Sequence, residues 1–221
     1  MVYIARRTAP NPTPKLSTDP GYDPMEERHP QILFSDWTPR NAGPHEENVE
    51  VYSNCQQVEL FLNDKTVGVQ SKPADDSPRN WKVPFEAGTL KAVGKNLGRV
   101  VASYELRTAG KPAQISLAVD RNAIAPVWDD VAYVTVTVLD ENGVLVPTAG
   151  DLITFSIKGP GVIAAVDSGN NNSHESFQTN QRLAYQGSCF AMLKATGRKG
   201  QIRLAAAAPG LKSSSIIINA R

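Results

Sequence analysis

The 221-residue sequence predicts an all-β protein made of two consecutive β-sandwich domains that follow an extended proline-rich segment. Apolar and polar residues alternate with a period of two in short runs, which is the pattern of half-buried strands. Turn residues separate these runs at intervals of about 8–12 residues, as in sandwiches. No window joins a helical period to capping residues, so helices are not expected.

Residues 1–44 are predicted to be the extended segment, since eight prolines fall between positions 10 and 44. Proline at this density disfavours both helix and central strand, and it stiffens a connector. Residues 32–37 are the apolar cluster of this segment, and we expect Trp37 to anchor it on a neighbouring domain. The segment contains no apolar run long enough for a signal-peptide core.

The first sandwich is predicted over residues 45–110. Apolar side chains alternate along residues 58–62, and the following Asn63-Asp64 pair tolerates positive φ, which predicts a hairpin. Glycines punctuate the rest of this stretch. Further strands are predicted at residues 49–52, 65–69, 80–83, 89–93 and 99–106.

The second sandwich is predicted over residues 111–221. Its clearest strand is Val131–Leu139, where valines share one face and threonines the other, and the turn at Asn142-Gly143 follows. The alanines at 205–208 favour helix by propensity, but they continue an alternating run and are assigned to a strand. The other strands are predicted at residues 113–119, 152–157, 162–166, 189–195, 201–207 and 214–218.

The number and spacing of these strands indicate an immunoglobulin-like architecture for both sandwiches, with a jelly roll as the alternative. The Cys…Trp…Cys spacing of antibody domains is absent from the sequence. Cys55 and Cys189 are predicted to be buried free thiols that behave as small apolar side chains. A disulfide joining the two halves of the chain is the other option.

The charge balance argues against two classes of partner. Lys and Arg number 23 and Asp and Glu number 22, so the net charge is +1. A nucleic-acid-binding domain or a polybasic membrane-binding surface would carry a clustered basic excess, so neither partner is expected. No stretch approaches the roughly 20 apolar residues of a membrane helix.

The sequence offers little recognisable catalytic chemistry. Metal and nucleotide motifs are missing, so no metal and no cofactor are expected. His29 falls in the proline-rich segment and His45 directly follows its last proline, and both are interpreted as solvated linker residues. The adjacent carboxylates at 46–47, 75–76 and 129–130 would point to opposite faces of a strand, so they do not predict a catalytic pair.

Two loops carry the candidate carbohydrate-binding residues, which are Trp128, His174 and Glu175. Trp128 lies in a loop, where an exposed indole could stack on a sugar ring. His174 and Glu175 belong to the long polar loop 167–177, and loops of this kind are often functional. The same loop is also interpreted as a self-satisfied turn, because Asn and Asp side chains bond nearby backbone. A calcium site at Asp167 is a third option.

One segment resembles a known family. Residues 51–65 read VYSNCQQVELFLNDK, which is similar to a signature in the C-terminal region of family 2 glycoside hydrolases of the bacterial β-galactosidase type. Asp64 stands where that family often has glycine. The second half is also similar to bacterial immunoglobulin-like domains of invasin type. Further similar segments are residues 2–7, which resemble the exit from the catalytic barrel, and 81–85, 88–94, 107–113, 130–136, 159–161 and 173–177.

The resemblance implies a non-catalytic role. The acid/base and nucleophile glutamates of the family lie in its barrel, and no position here matches their motifs, so no catalytic residue is carried over. The chain is then expected to hydrolyse nothing alone and to support the catalytic barrel of a parent enzyme, its expected partner, in a periplasmic or extracellular setting. The alternatives are a carbohydrate-binding module, with carbohydrate as partner, and a bacterial surface adhesin.

Overall fold

A computed structural model describes residues 1–7 and 33–221. These residues form 17 β-strands, β1–β17, and no helix, so the predicted all-β class is confirmed. Accordingly, this part of the chain has no helix that is long and apolar enough to cross a membrane. The chain divides into two compact units, Met1–Thr108 and Ala109–Arg221.

Unit 1 contains two antiparallel four-stranded sheets, with strand orders β2-β1-β3-β6 and β5-β4-β7-β8. Its core lies between their inner faces, which alternate with outer polar positions as in β4. The strands are β1 (Val2–Arg7), β2 (Leu33–Phe34), β3 (Glu46–Ser53), β4 (Gln57–Leu62), β5 (Lys65–Ser71), β6 (Arg79–Pro84), β7 (Thr89–Asn96) and β8 (Arg99–Arg107).

The hairpin between β4 and β5 follows the predicted turn. Asn63 and Asp64 both have positive φ, 49° and 63°, which is the backbone of a two-residue type I′ turn. Asn63 also binds the neighbouring strand connection, because its Oδ1 accepts from Thr89 N at 2.8 Å. Asp64 therefore replaces glycine without changing the predicted hairpin.

The first residues differ from the predicted connector. Strand β1 pairs with β3 along its whole length, from Val2 opposite Ser53 to Arg7 opposite Asn48, and Ile4 is fully buried. Every proline of the segment comes after Arg7, so nothing prevents these six residues from joining a sheet. The prolines at positions 10–30 lie outside the described residues.

Trp37 lies inside the core of unit 1. Its side chain is fully buried, its ring centroid is 5.3 Å from that of Phe85, and its Nε1 donates to Glu86 O at 2.9 Å. Burial of an indole with its N–H satisfied contributes substantially to a small core. The tryptophan thus anchors the end of the proline-rich segment to the sandwich that follows it.

Unit 2 is a second sandwich, with strand orders β13-β15-β11-β9 and β10-β17-β16-β12-β14. Its core contains the inward-facing residues of both sheets, including Phe155 and Leu193. The strands are β9 (Gln114–Val119), β10 (Ala123–Ile124), β11 (Ala132–Leu139), β12 (Leu152–Lys158), β13 (Gly161–Asp167), β14 (Gln181–Leu183), β15 (Ser188–Ala195), β16 (Gly200–Ala207) and β17 (Ser214–Ala220).

The predicted free thiols are confirmed. Cys55 and Cys189 are both buried and unpaired. Burial raises the pKa of the Cys189 thiol to about 12, because a low-dielectric surrounding disfavours the thiolate. The thiol is therefore a poor nucleophile and acts as a packing residue.

Candidate functional site

The polar loop that the sequence singles out is organised around one arginine. Arg182 of β14 is 1% exposed, yet its guanidinium reaches three parts of the loop. Its Nη2 lies 2.8 Å from Asp167 Oδ1, and its Nη1 donates to the backbone oxygen of Glu175 at 3.3 Å. Its charge also lies over the Phe177 ring, 5.2 Å from the centroid. The loop thus closes on a buried cation.

Glu175, a predicted carbohydrate-binding residue, is occupied by contacts within the protein. Its Oε1 accepts from Leu183 N at 3.1 Å, its Oε2 accepts from Ser173 Oγ at 3.0 Å, and Oε2 lies 3.6 Å from Arg182 Nε. A carboxylate with these partners stabilises the loop. The geometry supports the interpretation of a self-satisfied turn.

The calcium alternative at Asp167 has no support in the described part of the chain. No group of three or more His, Cys, Asp or Glu side chains there could hold a metal ion. Asp167 Oδ1 already accepts from Arg182 and from the backbone N–H of Ser168 at 2.7 Å. A cation would have to displace the guanidinium, and Ca²⁺ requires six to eight oxygen ligands.

Trp128 does not join the other two candidates. Its side chain is 83% exposed. Trp128 comes shortly before Ala132, the first residue of β11, and Ala132 faces Leu193 of β15. The polar loop leaves the same sheet at Asp167, which faces Phe190, three residues before Leu193 in the shared strand β15. Trp128 and the loop therefore leave the sheet at opposite ends, and the structure does not assemble the three predicted residues into one site.

A buried charge cluster in unit 1 was not predicted. Arg6 Nη2 lies 2.8 Å from Asp36 Oδ1, and its Nη1 lies 3.1 Å from Glu47 Oε1. His45 Nε2 lies 2.8 Å from the same Glu47 oxygen, so this histidine is not the solvated linker residue that the sequence suggests. The side chains of Arg6, Asp36 and Glu47 are 7–10% exposed. His29 lies outside the described residues.

The pH dependence of unit 1 should come from His45. Its Nδ1 faces Gly43 O at 2.7 Å and its Nε2 faces Glu47, and these acceptors raise the pKa of His45 above its ordinary value. A raised folded pKa gives stability that is complete below the unfolded pKa of about 6.5 and is lost as pH rises through the folded value. We expect the free energy of unfolding of unit 1 to fall above about pH 6.5.

Urea unfolding followed by tryptophan fluorescence tests this expectation, because Trp37 and Trp81 are buried in unit 1. His45→Asn should remove the fall over this pH range. His174→Asn, which alters an exposed histidine of unit 2, should leave it unchanged. Parallel pH profiles for the wild type and His45→Asn would refute the assignment.

Other buried charges also serve the backbone. Arg79 is 1% exposed and donates to four carbonyl oxygens, among them those of Ser53 at 3.1 Å and Cys55 at 2.6 Å. Asp140 is 2% exposed and accepts from the backbone N–H groups of Gly110, Asn142 and Val144 at 2.7–2.9 Å. These N–H donors lower the pKa of Asp140 and keep it ionised.

Both units contain segments that match models of known protein domains. Residues 115–217 match the model of the glycoside hydrolase family 2 C-terminal domain 5. Residues 45–102 match a domain of unknown function, DUF4982. The chain belongs to the C-terminal region of glycoside hydrolase family 2. This result confirms the resemblance expected from residues 51–65.

Curated relatives of this family 2 region are much longer than the chain. A β-galactosidase of Bacteroides ovatus is 41% identical over 169 residues, which are 76% of this chain and 20% of that protein. A β-glucuronidase of Formosa agariphila is 30% identical over 173 residues, which are 76% of this chain and 17% of that protein. The chain thus spans about a fifth of these relatives.

Solved structures also match the fold of this chain. A glycosyl hydrolase family 2 member from Bacteroides cellulosilyticus superposes with a TM-score of 0.85 and 32% identity, covering 100% of this chain and 28% of that one. A β-glycosidase from Bacteroides vulgatus gives a TM-score of 0.80 and 26% identity over 85% of this chain and 24% of that one. Both confirm a β-sandwich fold.

Proposed function

We propose that the two sandwiches are non-catalytic accessory domains that support the catalytic part of a family 2 glycoside hydrolase of β-galactosidase type. The observation that carries this proposal is that the buried carboxylates of unit 1 are bonded to other side chains of the same unit. Asp36 and Glu47 share the guanidinium of Arg6 beneath the surface, and Glu50 bonds Arg7 and the Tyr52 hydroxyl. Each carboxylate stabilises the fold.

Asp36 and Glu47 share one buried arginine, whereas the catalytic carboxyl groups of a retaining glycosidase lie about 5 Å apart on either side of the bound glycoside. Here both side chains are about 10% exposed and both accept from Arg6. A catalytic carboxyl group must reach the substrate, whereas these two side chains are buried against Arg6. This pair is therefore suited to structural stabilisation and not to glycoside cleavage.

The surface of unit 1 supports a contact with further polypeptide. Leu97, Val100 and Val101 are 88%, 63% and 53% exposed at the hairpin of β7 and β8. Clustered exposed apolar side chains commonly mark interaction surfaces. The partner that fits this surface is the remainder of the enzyme, since relatives extend well beyond the region that the chain covers.

Hydrolysis assays test the accessory role. We expect the purified chain to release no nitrophenol from nitrophenyl β-galactoside or nitrophenyl β-glucuronide above the rate of heat-denatured protein. If a trace rate comes from a contaminating hydrolase, the Glu47→Gln variant should show the same trace rate as the wild type. Turnover that is abolished by Glu47→Gln or Asp36→Asn in a folded variant would contradict the proposal.

The alternative of a carbohydrate-binding module at Trp128 has one supporting observation, the 83% exposure of the indole. Stacking on a sugar ring requires an exposed aromatic face, but orientation is normally fixed by converging polar groups. His174 and Glu175 leave the sheet at the opposite end and do not supply them. We therefore place this alternative second.

A further inference from the structure

A groove of about 330 Å³ lies on the outer face of the sheet that contains β12, β16 and β17. Lys158 and Arg203 line it and are direct cross-strand partners on this face. Ser156 and the three serines at 213–215 also line it. Arg203 Nη1 donates to Ser215 Oγ at 3.2 Å, which keeps the guanidinium beside the serines.

The positive charge of this groove has no counterpart in its sheet. None of the five strands of the sheet contains Asp or Glu. In the described part of unit 2, the ion pairs involve Arg121 and Arg182, and none includes Lys158 or Arg203. Like charges directly opposite each other on paired strands destabilise a sheet. An anion between Lys158 and Arg203 would remove that repulsion.

We propose that this groove binds an acidic glycan through a carboxylate or sulfate placed between Lys158 and Arg203. A guanidinium matches the planar oxygens of a carboxylate and also binds sulfate, and an ammonium adds a second charge-assisted contact. Serine hydroxyls both donate and accept, so they suit the hydroxyl groups of the neighbouring sugar. The site is independent of the accessory role proposed above.

The volume and lining of the groove favour a sugar over a protein surface. A volume of about 330 Å³ is at the small end of ligand sites, which run from roughly 300 to 1,000 Å³. Protein interfaces have an aromatic or aliphatic centre, whereas the lining here is four serines, one alanine and the two cations. The lining therefore suits an acidic sugar, because the two cations can pair with its acidic group and the serines with its hydroxyl groups.

Titration calorimetry of the full chain at low salt tests the proposal with four probes. These are trigalacturonate for the carboxylate, galactose 6-sulfate for the sulfate, neutral galactotriose and a hexaglutamate peptide. We expect saturable binding of at least one acidic sugar, no binding of galactotriose, and weaker binding as ionic strength rises. The ratio of the trigalacturonate and galactose 6-sulfate affinities distinguishes the two acidic groups.

Substitutions locate the binding. Lys158→Gln and Arg203→Gln should each weaken acidic-sugar binding at least tenfold, and both should fold normally because both side chains are exposed. Lys111→Gln, an exposed lysine outside that sheet, is the matched control and should leave the affinity unchanged. The proposal is overturned if neither acidic sugar binds, if binding survives both substitutions, or if hexaglutamate binds as well as the sugars.

Discussion

Replacing Arg6 with methionine is expected to lower the free energy of unfolding of unit 1 by about 3–5 kcal/mol. Methionine preserves the apolar volume of the side chain but leaves Asp36 and Glu47 buried without their cation. Both carboxylates are about 10% exposed, so water cannot replace the guanidinium. The large value reflects the cost of uncompensated buried charge and not the attraction of the pair alone.

Tryptophan fluorescence during urea unfolding measures this loss, since Trp37 and Trp81 lie in the core of unit 1. Arg99→Met is the matched control, because it removes an exposed arginine at the start of β8. We expect the control to change stability by less than about 0.5 kcal/mol. A loss below about 1 kcal/mol for Arg6→Met would show that the cluster is not important for the stability of unit 1.

Replacing Arg182 with methionine is expected to destabilise unit 2 by about 2–3 kcal/mol. Arg182 is 1% exposed, whereas its partners Asp167 and Glu175 are 30% and 29% exposed. The two carboxylates can therefore regain water once the guanidinium is gone, and the loss is smaller than for Arg6. The Phe177 ring also loses its cation contact.

Hydrogen exchange measures the loss of stability in Arg182→Met strand by strand. Fluorescence is less suitable for unit 2, because its tryptophan, Trp128, is exposed and gives little change on unfolding. Amide groups of β12 and β14 should exchange faster in Arg182→Met, since these strands pair directly. Arg198→Met, which changes an exposed arginine of the same unit, should preserve the wild-type exchange. Unchanged protection of β14 in Arg182→Met would contradict the expectation.

The sequence predicted the strands with a clear period of two. In β11, Ala132 and the valines face the core while Tyr133 and the threonines face outward, and this alternation is visible in the letters alone. Strand β14 was not predicted, because three residues are too few to display a period and a charged residue at its centre does not suggest a buried strand position. Its place at the sheet edge depends on pairing with Leu152–Thr154, a long-range contact.

The charge clusters could not be predicted from local sequence. Arg6 and Asp36 are 30 positions apart, and Arg6 and Glu47 are 41 apart. Isolated charges in a proline-rich segment appear solvated, and only the pairing of β1 with β3 places Arg6 beside Glu47. In unit 2 the composition of the loop was informative, but it could not distinguish a ligand site from a loop closed on Arg182.

The charge clusters of the two units have the same structural role. The residues that attract attention as candidate acids or ligands are those whose charges fix loops and strand ends in two small sandwiches. A side chain committed to such contacts is not free to bind substrate, since its lone pairs are already used. Function in this chain is then expected on its exposed surfaces, such as the groove at Lys158 and Arg203.

A double-mutant cycle of Arg182→Met and Glu175→Gln in the full chain tests this account most directly. Hydrogen exchange of β14 gives its free energies, and methyl β-galactoside binding is measured in parallel. We expect a coupling of about 0.5–3 kcal/mol between the two substitutions and no binding of methyl β-galactoside by the wild type or by Glu175→Gln. Additive effects on stability, together with sugar binding that Glu175→Gln abolishes, would show that this carboxylate serves a ligand and not the fold.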